Sequence, residues 1–313
     1  MPVNPVLASY SDLTYGTALV LYLFAMVLHV VGYAARRVPA TGISAHRAPA
    51  LGEGPVATLA PESPPLRDTS ERVGRAAVAL TALAALVHGS SLALRGAALG
   101  RAPWGNMYEF ISAICVVAVI AWLVVLYRQR GGAALQRLGG FVLLPVVVLM
   151  FLGGTVLYAQ AAPLVPALRS YWITIHVSAA ITATGILLVS GVASVLYLMR
   201  ERVGQTSRLP ASATLDRVAY RTTVVAFPIW TFAVITGAIW AEAAWGRYWG
   251  WDPKETFALV AWVVYACYLH ARATAGWRGS RAAWINVVGF AVMLFNLFFV
   301  NIVIAGFHSY AGI

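Results

Sequence analysis

Charge is what this sequence has least of. Asp, Glu, Lys and Arg make up 11% of its 313 residues against 60% hydrophobic ones, and so little polar surface cannot clothe a water-soluble globule of this size. Cysteine is almost missing too. Cys115 and Cys267 lie in separate apolar runs with no CxxC or CxxCH spacing, which leaves a structural zinc site, a thioredoxin-like pair and a covalently held c-type haem in this chain unsupported. No Lys or Arg precedes Arg36, so the basic start of a secretory signal is lacking and the first apolar run is expected to be retained as a helix. The apolar runs also lack buried carboxylates and interrupted half-helices, which argues against a solute transporter.

What the sequence does contain is hydrophobic blocks. Charge-free runs at about 13–35, 76–94, 110–127, 138–159, 172–199, 222–241, 256–271 and 282–308 approach the roughly 20 residues that a spanning helix needs. They predict an all-α, polytopic membrane protein with about eight transmembrane helices. The net charge of +11 does not call for a nucleic-acid partner, because topology explains it. With the N-terminus outside, the inner segments Arg36 to Arg75, Arg128 to Arg137, Arg200 to Arg221 and Arg272 to Arg281 hold 17 of the Lys and Arg residues, and the outer segments hold 5. Such a bias fixes orientation, so both termini are expected on the outer, extracytoplasmic face. Residues 1–35 then form the first helix and 36–75 a cytoplasmic linker containing six prolines. Residues 76–313 form a seven-helix core. His46, in the linker, is expected to be solvent-exposed.

The remaining histidines sort by depth. His176 and His308 fall near the outer ends of the fifth and eighth runs. Between them, from Trp240 to Glu255, the stretch Trp245-Gly-Arg247-Tyr248-Trp249-Gly-Trp251-Asp252-Pro253-Lys254-Glu255 crowds aromatic residues around two glycines. One reading is an interfacial belt, since Trp and Tyr gather at headgroup level. The other is a face for a flat ligand, which the glycines would let the backbone approach. Haem fits the second reading: aromatic rings stack on its porphyrin, histidines ligate its iron, and Arg247 or Lys254 suits its propionates. Asp252, before Pro253, is equally able to order the loop by bonding backbone amides.

The WGWDPKE ending resembles the tryptophan-rich WWD signature of haem-handling membrane proteins. With the helix end Tyr268-Leu-His270-Ala-Arg272, it is similar to the CcsA (ResC) type of system II cytochrome c biogenesis protein. Trp172-Ile-Thr-Ile-His176, Gly306-Phe-His308-Ser-Tyr310 and Pro103-Trp-Gly-Asn106-Met-Tyr108-Glu109 carry the resemblance over about residues 76 to 313. It implies that haem b in transit is held by Trp245, Tyr248, Trp249, Trp251, Asp252, Arg247 and Lys254, with His176 and His308 as axial ligands. It further implies that His270, roughly 20 Å deeper at 1.5 Å per residue, is an inner ligand paired with a histidine of another subunit. The implied function is thioether attachment of haem to the CxxCH of apocytochrome c, as part of a holocytochrome c synthase. The implied partners are a CcsB/ResB-type subunit, thiol-reducing thioredoxin-like proteins and the lipids of a plasma membrane. Two alternatives stay open: a CcmC-like haem exporter, expected to be shorter, and a b-type electron-transfer subunit, expected to pair histidines inside the bundle. His88 and His29 are expected to bond neighbouring helices. For Asn106 and Glu109, helix capping and substrate contact both remain open.

Overall fold

The computed structural model describes residues 3–34, 67–129, 132–136, 138–164, 168–204, 209–304 and 306–308. His46, the prolines of the linker and Tyr310 lie outside the described residues. The elements in chain order are α1 (Pro5–Ala34), α2 (Arg67–Leu99), α3 (Met107–Arg128), α4 (Ala133–Gln136), α5 (Gly139–Thr155), α6 (Tyr171–Val203), α7 (Ser212–Trp245), α8 (Pro253–Ala273), α9 (Ser280–Leu297) and α10 (Phe299–Ile302). The protein is all-α and polytopic: among the described residues seven helices are long and apolar enough to cross a membrane, α9 and α10 counting together as one, and α5 is a shorter apolar helix. The 17 residues of α5 reach about 25 Å at 1.5 Å per residue, somewhat less than a hydrocarbon core of about 30 Å. The 34 residues of α7 reach about 51 Å, so its polar start, with Asp216, Arg217 and Arg221, extends past its apolar stretch.

Helix ends follow local chemistry. Asn4 accepts from the Val6 and Leu7 amides and Pro5 takes the first helical position, where its missing N–H costs nothing. That pair starts α1 eight residues before the first charge-free run. Helix α2 likewise starts at Arg67, inside the segment expected as linker. Ser170 caps α6 through the Trp172 amide. The run 282–308 does not form one helix: α9 ends at Leu297 and α10 at Ile302, so His308 sits in a turn beyond the last helix.

Two four-helix groups make up the bundle. Helices α1, α2, α3 and α5 pack together, α6 to α9 form the second group, and α3 against α6 joins them. Close approach depends on small residues, as in other membrane bundles. A Cβ on Gly185 of α6 would come within 2.7 Å of Val117 Cγ1 and 2.9 Å of the Ala118 amide nitrogen on α3. Gly185→Val should therefore separate the two groups, at a cost of about 1–3 kcal/mol of overpacking, read as a lower melting temperature in detergent. Buried polar groups add ties: Ser190 of α6 accepts from Asn286 Nδ2 of α9 at 2.8 Å and lies 2.7 Å from the Thr223 hydroxyl of α7. His88 and His29 do bond neighbouring helices, His88 Nε2 lying 2.9 Å from Ser112 Oγ and His29 Nε2 3.4 Å from Thr81 Oγ1.

Candidate functional site

The loop between α7 and α8 is built from its two ends. Helix α7 stops at Gly246, whose φ of 70° puts it in the left-handed region that glycine enters without strain. Helix α8 starts with a capping box. Asp252 Oδ2 accepts from the Lys254 amide at 3.1 Å, and Glu255 Oε2 returns to the Asp252 amide at 3.1 Å and to the Gly250 amide at 2.8 Å. Trp251 between them has φ 57°, an unusual conformation for a bulky residue, and the residue is 69% exposed.

The same Asp252 carboxylate reaches the chain's last described turn. Its Oδ1 accepts from the Phe307 amide at 2.7 Å, and its Oδ2 lies 2.8 Å from His308 Nδ1. Burial by itself would raise this carboxyl's pKa, but the bonds from His308 and the Phe307 amide outweigh it and hold Asp252 below its ordinary value. An ionised carboxylate only accepts hydrogen bonds, so His308 Nδ1 carries the hydrogen and, in the neutral ring, the lone pair is on Nε2. Trp245 and Trp240 meet the imidazole edge-on, at centroid distances of 5.1 and 5.8 Å.

His176 repeats the arrangement from the other side. It lies in the second turn of α6, and its Nδ1 is 2.8 Å from the Ala233 carbonyl of α7, again an acceptor only, so its lone pair is also on Nε2. Gly237, one turn further along α7, provides the ring's seat: a Cβ there would come 2.7 Å from His176 Cε1. Trp240, fully buried, lies parallel to the imidazole at 6° and 6.1 Å. His176 and His308 thus both pack against Trp240 and line one cavity, together with Trp249, Lys254, Trp104 and Trp230. Each imidazole is oriented through Nδ1 as metal-binding histidines are, by an acceptor behind the ring.

A family model, described as cytochrome C assembly protein, matches residues 104–308. The chain belongs to this family. The matched stretch begins at Trp104 and ends at His308, and both line the cavity; α1 and the whole of α2 lie outside it. Curated relatives called cytochrome c biogenesis protein CcsA include one from Chlamydomonas reinhardtii, 37% identical over 67% of this chain and 61% of its own length. Another, from Parasynechococcus marenigrum (strain WH8102), is 36% identical over 74% of this chain and 85% of its own length. Among solved structures, a cytochrome c haem lyase CcmF superposes with a TM-score of 0.64 over 95% of this chain and 47% of that one, at 18% identity, and so shares the fold. Membership of the cytochrome c assembly family places the chain in cytochrome c biogenesis.

Not every residue expected at a family site reaches the cavity. Tyr248, Trp249 and Lys254 line it; Trp245 touches it through Trp240 and His308, and Trp251 points away. Arg247 is engaged within the loop, over the Phe307 ring at 4.5 Å and 3.9 Å from Glu255 Oε2. His270 is exposed near the far end of α8, about 26 Å along the helix from Pro253 at 1.5 Å per residue. Asn106 caps α3 through the Glu109 amide at 2.9 Å while also lining the cavity. Glu109 is wholly buried and bound to Arg95 at 3.1 Å and Arg101 at 2.9 Å, which makes it structural. Sequence reasoning missed Gly237 and Trp240 as a seat, although Ala233, Gly237 and Trp240 follow the i, i+4, i+7 spacing of one helix face.

Proposed function

We propose that this chain takes haem b as cargo and holds its iron between His176 and His308 on the extracytoplasmic side of a plasma membrane. With a CcsB/ResB-type subunit, it then presents the haem to the CxxCH motif of apocytochrome c. The observation that carries this reading is the pair of imidazoles lining one cavity, each tied through Nδ1 to a fixed acceptor and packed on Trp240. Among the described residues no three His, Cys, Asp or Glu side chains come together to hold a bare metal ion. Two imidazoles suit instead an iron that brings its equatorial donors in a macrocycle. The asymmetry of 17 basic residues against 5 supports the orientation, with both termini outside and the segment between α1 and α2 on the cytoplasmic side.

Bound haem supplies two vinyl groups, across which two cysteine thiols add, a reaction that asks for proximity and reducing conditions rather than an acid–base pair. The chain's own residues position. Trp240 packs against both imidazoles, and Trp249, Trp230 and Trp104 offer apolar walls to a flat ring. Lys254, whose ammonium donates to the Asn296 carbonyl at 3.2 Å at the cavity's edge, is the better placed cation for a propionate. Arg247 holds the loop. His270, exposed on α8, is open to a partner histidine from the second subunit, consistent with an inner site that haem occupies before moving outward. Thioredoxin-like proteins would keep the apocytochrome thiols reduced.

The test is the reduced-minus-oxidised absorption spectrum of the protein purified in detergent after coexpression with a CcsB-type subunit. Wild type should copurify with haem. His176→Ala and His308→Ala should each lose most of it or destabilise its ferrous form, and added imidazole should restore the spectrum by filling the vacated position. Spectra unchanged by both substitutions would return the loop to an interfacial belt.

A further inference from the structure

The Asp252 carboxylate does more than a helix cap requires. A cap needs one acceptor for an amide of the first turn, and the Lys254 amide satisfies it. Yet this side chain, 2% exposed, also accepts from the Phe307 amide at 2.7 Å and from His308 Nδ1 at 2.8 Å. These are two consecutive residues of a segment 55 and 56 positions away in sequence. The segment lies beyond α10, in a turn. Its backbone is also moulded to the carboxylate: a Cβ on Gly306 would come 2.6 Å from Asp252 Oδ1 and 3.4 Å from Pro253 Cδ. The other imidazole needs no such clasp, because His176 belongs to a 33-residue helix and its acceptor is a main-chain carbonyl.

We propose that Asp252 is a positioning residue of the haem site, a clasp that docks the turn 306–308 onto the start of α8 and aims His308 Nε2 into the cavity. The inference rests on the assignment of His308 as an iron ligand. It divides the two ligands by kind: His176 is built into a bundle helix, whereas His308 lies in a turn whose hydrogen bonds to the loop run to the Asp252 carboxylate. It also gives the aspartate of the Trp-rich loop a role distinct from that of its tryptophans, since it acts through the histidine without touching the porphyrin.

The experiment separates the clasp from the cap. Serine caps helices as well as aspartate does but is too short to reach the turn, so Asp252→Ser keeps the start of α8 and releases His308. Gly306→Ala disturbs the docked backbone from the other side and changes no charge. The protein is coexpressed with its CcsB-type subunit, and haem content, ferrous spectrum and melting temperature are measured for wild type, Asp252→Ser, Gly306→Ala, His308→Ala and the Asp252→Ser/His308→Ala double variant. Asp252→Ser should lower haem affinity by about 10-fold, as loss of an orienting acceptor does, with imidazole restoring the spectrum. The double variant should be no worse than His308→Ala, because both changes remove the same ligand. Gly306→Ala should shift the spectrum in the same sense. If His308→Ala loses haem while Asp252→Ser and Gly306→Ala keep wild-type spectra, the clasp is wrong and the haem site stands. If the losses add in the double variant and imidazole rescues neither, Asp252 is a cap and nothing more. A wild type without haem would overturn the functional reading itself.

Discussion

Glu109→Ala should be the most damaging single substitution in the bundle, lowering stability by about 3–5 kcal/mol, the cost of breaking a buried ion pair from one side. Glu109 has no exposed surface and Arg95 is 1% exposed. The carboxylate binds Arg95 Nε at 3.1 Å, Arg101 Nη1 at 2.9 Å and the Gly105 amide at 2.8 Å. Asp12 of α1, 3.5 Å from Arg95, is 35% exposed and too well hydrated to compensate. Removing Glu109 would leave a guanidinium buried without its main counter-charge, where desolvation far exceeds what a surface pair contributes. Thermal unfolding in detergent, followed by tryptophan fluorescence, measures the effect. Arg95→Met/Glu109→Leu should recover much of the loss, because replacing both partners with apolar groups removes the stranded charge. Melting of Glu109→Ala at the wild-type temperature would mean that water reaches the cluster.

Gly237→Ala should abolish haem retention while sparing the fold. Alanine favours helix over glycine by about 1 kcal/mol, so α7 itself gains. The added methyl, however, would stand 2.7 Å from His176 Cε1 and 2.8 Å from its Nδ1. The imidazole has to leave its seat and give up its bond to the Ala233 carbonyl. Losing an orienting acceptor typically costs 10–100-fold in metal affinity, and here the ring is also displaced, so the expected loss is about 100-fold. Imidazole should not rescue this variant as it rescues His176→Ala, because the displaced ring still fills the space a free ligand would need. Haem content, with and without imidazole, checks the prediction alongside the melting temperature. Wild-type haem content in Gly237→Ala would show that His176 does not bind from this seat.

What was legible in the sequence was what hydropathy and residue chemistry encode. Long apolar runs announced the helices, and the unusual density of tryptophan between two histidines marked the loop that the bundle brings to one cavity. Conformation inside an apolar run was not legible. Nothing in the run 282–308 distinguishes a continuous helix from one that breaks after Leu297, because a helix and a packed turn both bury such residues. In the structure the Asn301 side-chain Nδ2 donates to the Leu297 carbonyl where α9 ends. Arg95 looked like a loop charge, since it follows an apolar run; it lies within α2 because a buried glutamate 14 residues on neutralises it. The direction of a side chain within a dense motif was likewise hidden. Trp249 faces the cavity and Trp251 faces out because the backbone turns at Trp251 itself, through a φ that its residue type does not suggest.

The tether between Asp252 and the turn at 306–308 also bears on when the protein becomes competent during synthesis. His176 acquires its acceptor from a residue 57 positions later, and His308 lies 56 positions after its own. A nascent chain that has inserted α6 and α7 already carries most of its tryptophan surface and one oriented imidazole. The second arrives only after α8 and α9 have entered the membrane and the chain has folded back on itself. On the proposed assignment, a product that stops short of the turn at 306–308 has only one of the two imidazoles, and no pair between which to hold haem.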